Sequence, residues 1–386
     1  MSRRLPSGAK WITLPSGARR VELVLDVGED PATGQRRQIR RRLKTVEEAI
    51  EAQAEILKQA REGSYVSRAN LTIEQACADW LAGRRLRKGT LANYANSLKP
   101  LRRTYGAQTL QSLTKKQINE LISRLQAGEV PRADGRGSRP WKPPTVNLML
   151  RVLSLLLDDA KGQGLITRNV VELVDRVPQT KTKRPTYTAA EVRTLLATAS
   201  ADRLEQAWHL ALSGLRRGEV CGLAWTDIDL IAETLTVRES RVSVDGDVVI
   251  EEPKTEAGKR TLPLTAELVV VLKRAKRRQA AERLKAGARY QPSGYVVTDE
   301  LGRAPHPETI SDYWDRLTAN AAVPRIRLHD ARHTCGTLMH LQGVPTAVIA
   351  AWLGHANAAF TMQTYVHSQE PALRDAARIL GALTQS

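Results

Sequence analysis

Tyr365 stands in TYVH, ten residues after His355 in WLGHA, and both follow LHDARHT, which sets His329 and Arg332 in HxxR spacing. Upstream, SGLRRGE supplies Arg216 and Glu219, and PKTEAGKRTLPL supplies Lys254. A phenol, several cations and two imidazoles, with no cluster of carboxylates, are what attack on a phosphodiester without a metal requires. A free phenol titrates at about 10, so at neutral pH it must be activated by nearby cations or a base. Arg216 and Arg332 can grip two non-bridging oxygens bidentately and stabilise charge growing on phosphorus. His329 and His355 can donate to the same oxygens or take the phenolic proton, and Lys254, an ammonium, suits protonation of a 5′ leaving oxygen. Neither a metal nor a cofactor is expected. Taken singly, each residue has a plainer reading: HxxR as a surface pair, Arg216 as a helix-end arginine, Tyr365 as packing. The order in which they occur gives the set its weight.

Composition narrows the partner. Lys and Arg number 59 against 41 Asp and Glu, a net charge of +18, with a pI near 10.1; such an excess favours a polyanion. Aliphatic runs such as LVVVL at 268–272 are far too short to span a bilayer, so no membrane association is expected. The N-terminus MSRRLPSGAKWITLPSG has no apolar h-region, and no export is expected. Cys77, Cys221 and Cys335 lack metal or disulfide spacing and read as reduced thiols in a cytoplasm.

The positioning elements predict a multidomain, mainly α chain. Residues 1–66 read as a small β-sheet plus helix: strands at 19–27 and 36–43 around GEDPATGQ, then a helix opened by a Thr45/Glu48 capping box and running to Gly63. Arg36, Arg37, Arg40, Arg41 and Arg42 on the second strand can line a DNA groove or simply form a solvated face. Residues 70–178 read as all helical, with capping boxes at Thr72/Gln75 and Thr114/Gln117 and an apolar, buried helix in TVNLMLRVLSLLLDDAKGQGLI. The Gly, Pro and Arg-rich stretch 128–145 reads as an exposed loop whose Arg132, Arg136, Arg139 and Lys142 are candidate phosphate contacts. A linker at 177–187 carries Lys181, Lys183 and Arg184, further candidates for DNA contact, and marks the boundary of a mostly helical domain, 179–386. Within it a Thr188/Glu191 capping box opens the first helix. Strands at 233–240 and 248–254, joined across Asp245-Gly246, with RTLPL at 260–264 as a third, predict a small antiparallel sheet that puts Lys254 at a strand end or turn.

Over roughly residues 180–386 the chain resembles the tyrosine recombinase (phage integrase) family, in SGLRRGEV, PKTEAGKR, LHDARHT, WLGHA and TMQTYVH. The resemblance implies Tyr365 as nucleophile, Arg216 and Arg332 as the phosphate clamp, Lys254 as general acid, His329 and His355 in support, and Glu219 as a brace. Arg217 neighbours Arg216, but the family register favours Arg216. His333 and His367 fit the local pattern without a catalytic assignment. Residues 70–178 are similar to the family's helical core-binding domain, which forms a clamp on crossover DNA with the catalytic domain, and 1–66 to the arm-type DNA-binding domain of three-domain integrases. Where the family often has Asn-Pro at the end of the core-binding domain, this chain has Asn169-Val170. The implied function is a site-specific DNA recombinase, an integrase of a phage or mobile element. It makes a 3′-phosphotyrosyl intermediate and acts as a homotetramer on double-stranded DNA with core-type and arm-type sites. A DNA-bending host factor and an excisionase are the accessory partners the resemblance admits. The alternatives are a chromosome or plasmid dimer resolvase, for which two domains suffice, a type IB topoisomerase, and a non-catalytic DNA-binding repressor or decoy, against which the complete residue set argues.

Overall fold

The computed structural model describes residues 4–29, 36–61, 70–131, 139–180, 184–253 and 255–355. Several expectations therefore fall outside the described residues: those on Arg132, Arg136, Lys181, Lys183, Lys254, Tyr365 and His367. The chain divides into two compact units, 1–180 and 181–386.

In the first unit, β1 (Ala9–Thr13), β2 (Arg19–Glu29) and β3 (Arg36–Leu43) form an antiparallel sheet in that order. The alternation of β2 sends Val21, Leu23 and Leu25 to one face. Ile39 and Ile56, the latter from α1 (Val46–Arg61), pack against the two leucines. The sheet has one strand more than the two expected. β1 is five residues long and lies between turns in a stretch that carries no clear alternation; it is recruited by pairing to β2, with Trp11 opposite Val21.

A second apolar cluster belongs to α2 (Ile73–Ala82), α3 (Lys88–Tyr105), α4 (Lys115–Ala127) and α5 (Pro143–Gly162). Both expected capping boxes are formed, Thr72 with Gln75 and Thr114 with Gln117. α5 begins at Pro143, inside the stretch read as loop, because proline is tolerated in a helix's first turn, where its missing N–H would be unpaired anyway. At the Asn-Val departure from the family pattern, Asn169 itself holds the turn. It is buried, its Oδ1 accepts from Val171 N (3.0 Å), and its Nδ2 donates to Ser154 O (3.2 Å) and Asp158 Oδ1 (2.8 Å).

The second unit runs α6 (Ala189–Ala199), α7 (Glu205–Leu212), α8 (Arg217–Gly222), β4 (Ile228–Asp229), β5 (Thr234–Val237), β6 (Ser240–Val244), β7 (Asp247–Glu251), β8 (Arg260–Pro263), α9 (Ala266–Ala286), α10 (Pro307–Asn320), α11 (Leu328–Leu341) and α12 (Thr346–Leu353). Trp208 of α7 and Trp314 of α10 are fully buried, their rings 5.9 Å apart, at the centre of its core. The expected single sheet is corrected to two. β4, β5 and β8 form one, and the Asp245-Gly246 hairpin joins β6 to β7 as another. The run 233–240 breaks at Arg238-Glu239, so its first half pairs with β8 and its last residue starts the hairpin. The fold is thus mainly helical with small antiparallel sheets.

Candidate active site

Two glycines one helical turn apart place α8. A Cβ on Gly218 would lie 2.2 Å from Ser240 Oγ, and one on Gly222 would lie 3.1 Å from Arg241 N, so the hairpin backbone can seat directly on the helix. This brings Arg216, at the N-terminus of α8, to the wall of a cleft of about 620 Å³. Arg216, Glu219, His329 and His355 line that cleft, together with Glu251, Glu252, Pro253 and Thr255 from the end of the hairpin. The two neighbours of Lys254 in sequence therefore line the same cleft.

Glu219 is the pivot. It is 4 % exposed. Its Oε2 accepts from Arg216 N (2.9 Å) and its Oε1 from Arg216 Nη1 (2.6 Å). Arg260 of β8 grips the same carboxylate from the far side, at 2.9 Å and 3.2 Å. Burial alone would raise the Glu219 pKa, but hydrogen bonding and charge from Arg260, with the charge of Arg216, hold it down at about 2. Arg260 was not anticipated, although a signal for it exists. In RTLP it shares a strand face with Leu262, both buried, and an arginine pointing inward on an alternating strand needs a buried carboxylate.

Arg216 Nη2 donates to Gly354 O (3.0 Å), joining α8 to the glycine that ends α12 in the left-handed conformation (φ 64°). The adjacent Arg217, which also lines the cleft, donates to Ser311 Oγ (3.0 Å). Packing thus gives the two neighbouring arginines different partners. His355 follows Gly354, its N–H bonded to Ala350 O.

Arg332 lies behind the cleft wall. It is 2 % exposed, with Nη1 on Gly214 O (2.7 Å) and Nη2 on Leu353 O. Gly214 adopts φ 98°, and a Cβ there would meet Leu353 Cδ2 at 2.8 Å. Arg332 therefore ties the end of α7 to the end of α12, a scaffold for the wall that carries Arg216 and His355. Arg184, a candidate for DNA contact, hydrogen-bonds the ring Nε2 of His333, and Tyr187 N donates to Thr334 Oγ1 (3.1 Å), so residues 184–187 are seated on α11.

The imidazoles around this cationic site are all held below their ordinary range. Burial and then the charges of Arg332 and Arg216 depress His355 to about 4. Burial, Arg184 and His329 do the same to His333, also to about 4. His329 is lowered by desolvation at the cleft wall and by Arg332. A histidine whose folded pKa is depressed binds fewer protons than in the unfolded chain between about 6.5 and the folded value, so stability rises with pH across that window. Thermal unfolding followed from pH 7 to pH 4.5 should show a falling midpoint. The buried His333 should account for about 2 kcal/mol of the loss, and His333→Gln should flatten the profile; an unchanged slope in the variant would rule His333 out as its source.

On the N-terminal sheet, Arg40 and Arg42 lie on the face opposite α1. They flank the buried Glu22 at 4.0 Å and 3.5 Å, and Lys10 approaches it at 3.5 Å. Arg41 alternates to the other face and is exposed. Arg36 and Arg37 are placed in β3 by their backbone. Among the described residues no helix is long and apolar enough to cross a membrane.

The signature of the phage integrase family matches residues 186–371. A tyrosine recombinase XerC-like protein of Caldanaerobacter subterraneus is 28 % identical over 353 residues, 84 % of this chain and 86 % of its own. The ICEBs1 integrase of Bacillus subtilis is 26 % identical over 349 residues, 88 % and 91 % of the two chains. Among solved structures, the Tn1549 transposon integrase in complex with a circular intermediate DNA shares the fold, with a TM-score of 0.64 at 20 % identity over 80 % of this chain and 99 % of that one.

Proposed function

Since the chain belongs to the phage integrase family of tyrosine recombinases, we propose that it is a site-specific DNA recombinase that integrates, and with accessory factors excises, a phage or other mobile element. The observation that carries this reading is the convergence of Arg216, His329 and His355 on one cleft, braced by Glu219 and flanked by residues 253 and 255.

In the proposed reaction the Tyr365 oxygen attacks a backbone phosphorus. A phosphotyrosyl bond forms to the 3′ side, the bond to the 5′ oxygen breaks, and Lys254 supplies the proton to that oxygen. The phosphate oxygens are neutralised by Arg216 and, in the loaded site, Arg332. His329 and His355, kept neutral by burial and then by the cations around them, retain a lone pair and so can take the phenolic proton; their N–H groups remain donors to the phosphate. The phosphotyrosine conserves the energy of the broken bond, so a second 5′ hydroxyl can reverse the step on a new partner strand. We assign 179–386 as the catalytic domain, 70–178 as the core-binding domain and 1–66, with Arg36, Arg37, Arg40, Arg41 and Arg42, as the arm-type DNA-binding domain. Lys181, Lys183 and Arg184 are proposed as further DNA contacts from the linker. The assembly is a homotetramer on DNA.

The reading is tested by strand exchange between paired attachment sites in excess EDTA. Exchange should persist at an undiminished rate; its loss, with restoration by magnesium, would overturn the metal-independent mechanism.

A further inference from the structure

Helix α9 carries a charge run of which the cleft uses none and the fold only a part. From Lys273 to Lys285 it holds Lys273, Arg274, Lys276, Arg277, Arg278, Arg283 and Lys285 against one carboxylate, Glu282, which is bonded to Arg203 at 2.7 Å and 2.8 Å. Arg274 approaches Glu205 and Arg278 donates to Gln206, both on α7, and Lys276 lies over the Trp225 ring. Lys273, Arg277, Arg283 and Lys285 are exposed. Their spacing includes Lys273 and Arg277 at i and i+4, and Arg274 and Arg278 likewise, arrangements that destabilise a helix standing in water. A polyanion laid along the helix relieves that repulsion.

The location separates this face from the chemistry. The buried stripe of α9, Leu268, Leu272, Ala275 and Gln279, faces inward. α9 packs on α7, which packs in turn on α11, the bearer of His329 and Arg332. No residue of α9 lines the cleft. The stretch from Lys273 to Lys285 spans about 18 Å at 1.5 Å per residue, a length of duplex carrying on the order of ten phosphate charges.

We propose that the outward face of α9 binds the phosphate backbone of a second segment of double-stranded DNA, distinct from the duplex at the cleft and without regard to its sequence. This rests on the DNA-binding reading of the chain, and it adds a second, sequence-independent DNA contact to each catalytic unit.

The test uses the full chain and the triple variant K273Q/R277Q/K285Q, whose exposed sites leave the core intact and whose unfolding midpoint should equal or exceed that of the parent. Each protein is saturated with a labelled 25-bp duplex and then titrated with a second duplex of a different label over a range of salt. The variant should bind the second duplex at least tenfold more weakly, with the logarithmic salt slope reduced by about 2.7, at 0.9 per lost contact. First-duplex affinity should change less than twofold. Equal losses for both duplexes would assign α9 to the primary binding groove. Unchanged second-duplex binding would make the run a solvated face, and the same result with lost binding of a polyglutamate probe would make it a protein-docking surface; each outcome overturns the proposal. Failure of the parent to bind even the first duplex would instead overturn the DNA-binding reading itself.

Discussion

Glu219→Ala is expected to cost the second unit about 3–5 kcal/mol, the usual range for breaking a buried ion pair from one side. The carboxylate it removes is nearly sealed from solvent and holds Arg260, itself 9 % exposed, which keeps only the carbonyls of Trp352 and Gly258 as partners. A buried guanidinium is thereby left without a counter-charge, and the Arg216 N–H loses its acceptor. Glu219→Gln preserves an acceptor but not the charge and should fall between the two. Urea unfolding of the variants measures the effect. The functional consequence runs through Arg216, whose guanidinium would be held only by Gly354 O, so residual activity should show a greater loss in the cleavage rate than in DNA affinity. A Glu219→Ala protein as stable as the parent would show that the pair merely breaks even.

Arg332→Lys is expected to lower strand cleavage on the order of 10²–10³-fold, the scale set by removing one preorganised donor from a transition-state site. A lysine cannot reproduce the planar fork that reaches Gly214 O and Leu353 O together. The wall carrying Arg216 and His355 then loses its tie, whether or not Arg332 also turns to the phosphate. Single-turnover cleavage at several temperatures separates the contributions. A scaffold role alone predicts that cooling, which restores the folded population, also restores the rate; a direct role at the phosphate predicts a deficit that persists in the fully folded protein. DNA affinity within about twofold of the parent is expected in either case.

The local rules of the chain were plain in its sequence. Thr72, Thr114 and Thr188 each sit three residues before Gln or Glu, and each forms the capping box that spacing demands. What sequence could not rank was competition between distant partners. The run 233–240 has strand character throughout, and only its pairing with Arg260–Pro263 decides that it is cut at Arg238-Glu239. Ala9–Thr13 becomes a strand because β2 offers it a partner. In the site, residue types and order marked Arg216, Glu219, His329 and His355. The roles that depend on burial were hidden: Arg260 as the second hand on Glu219, Arg332 as a tie behind the wall, and His333 as the seat for Arg184. The Gly218/Gly222 spacing was visible as letters, but its meaning depends on the hairpin that packs there, a contact made by residues about twenty positions downstream.

Covalent joining of the Tyr365 phenol to DNA is read out by mixing the protein with supercoiled plasmid in EDTA, quenching with detergent, and comparing the parent with Tyr365→Phe. Relaxed topoisomers and a protease-sensitive protein–DNA adduct are expected from the parent, and neither from a variant that lacks only the phenolic oxygen. Adduct and relaxation that survive in Tyr365→Phe would contradict that expectation and place the nucleophile elsewhere.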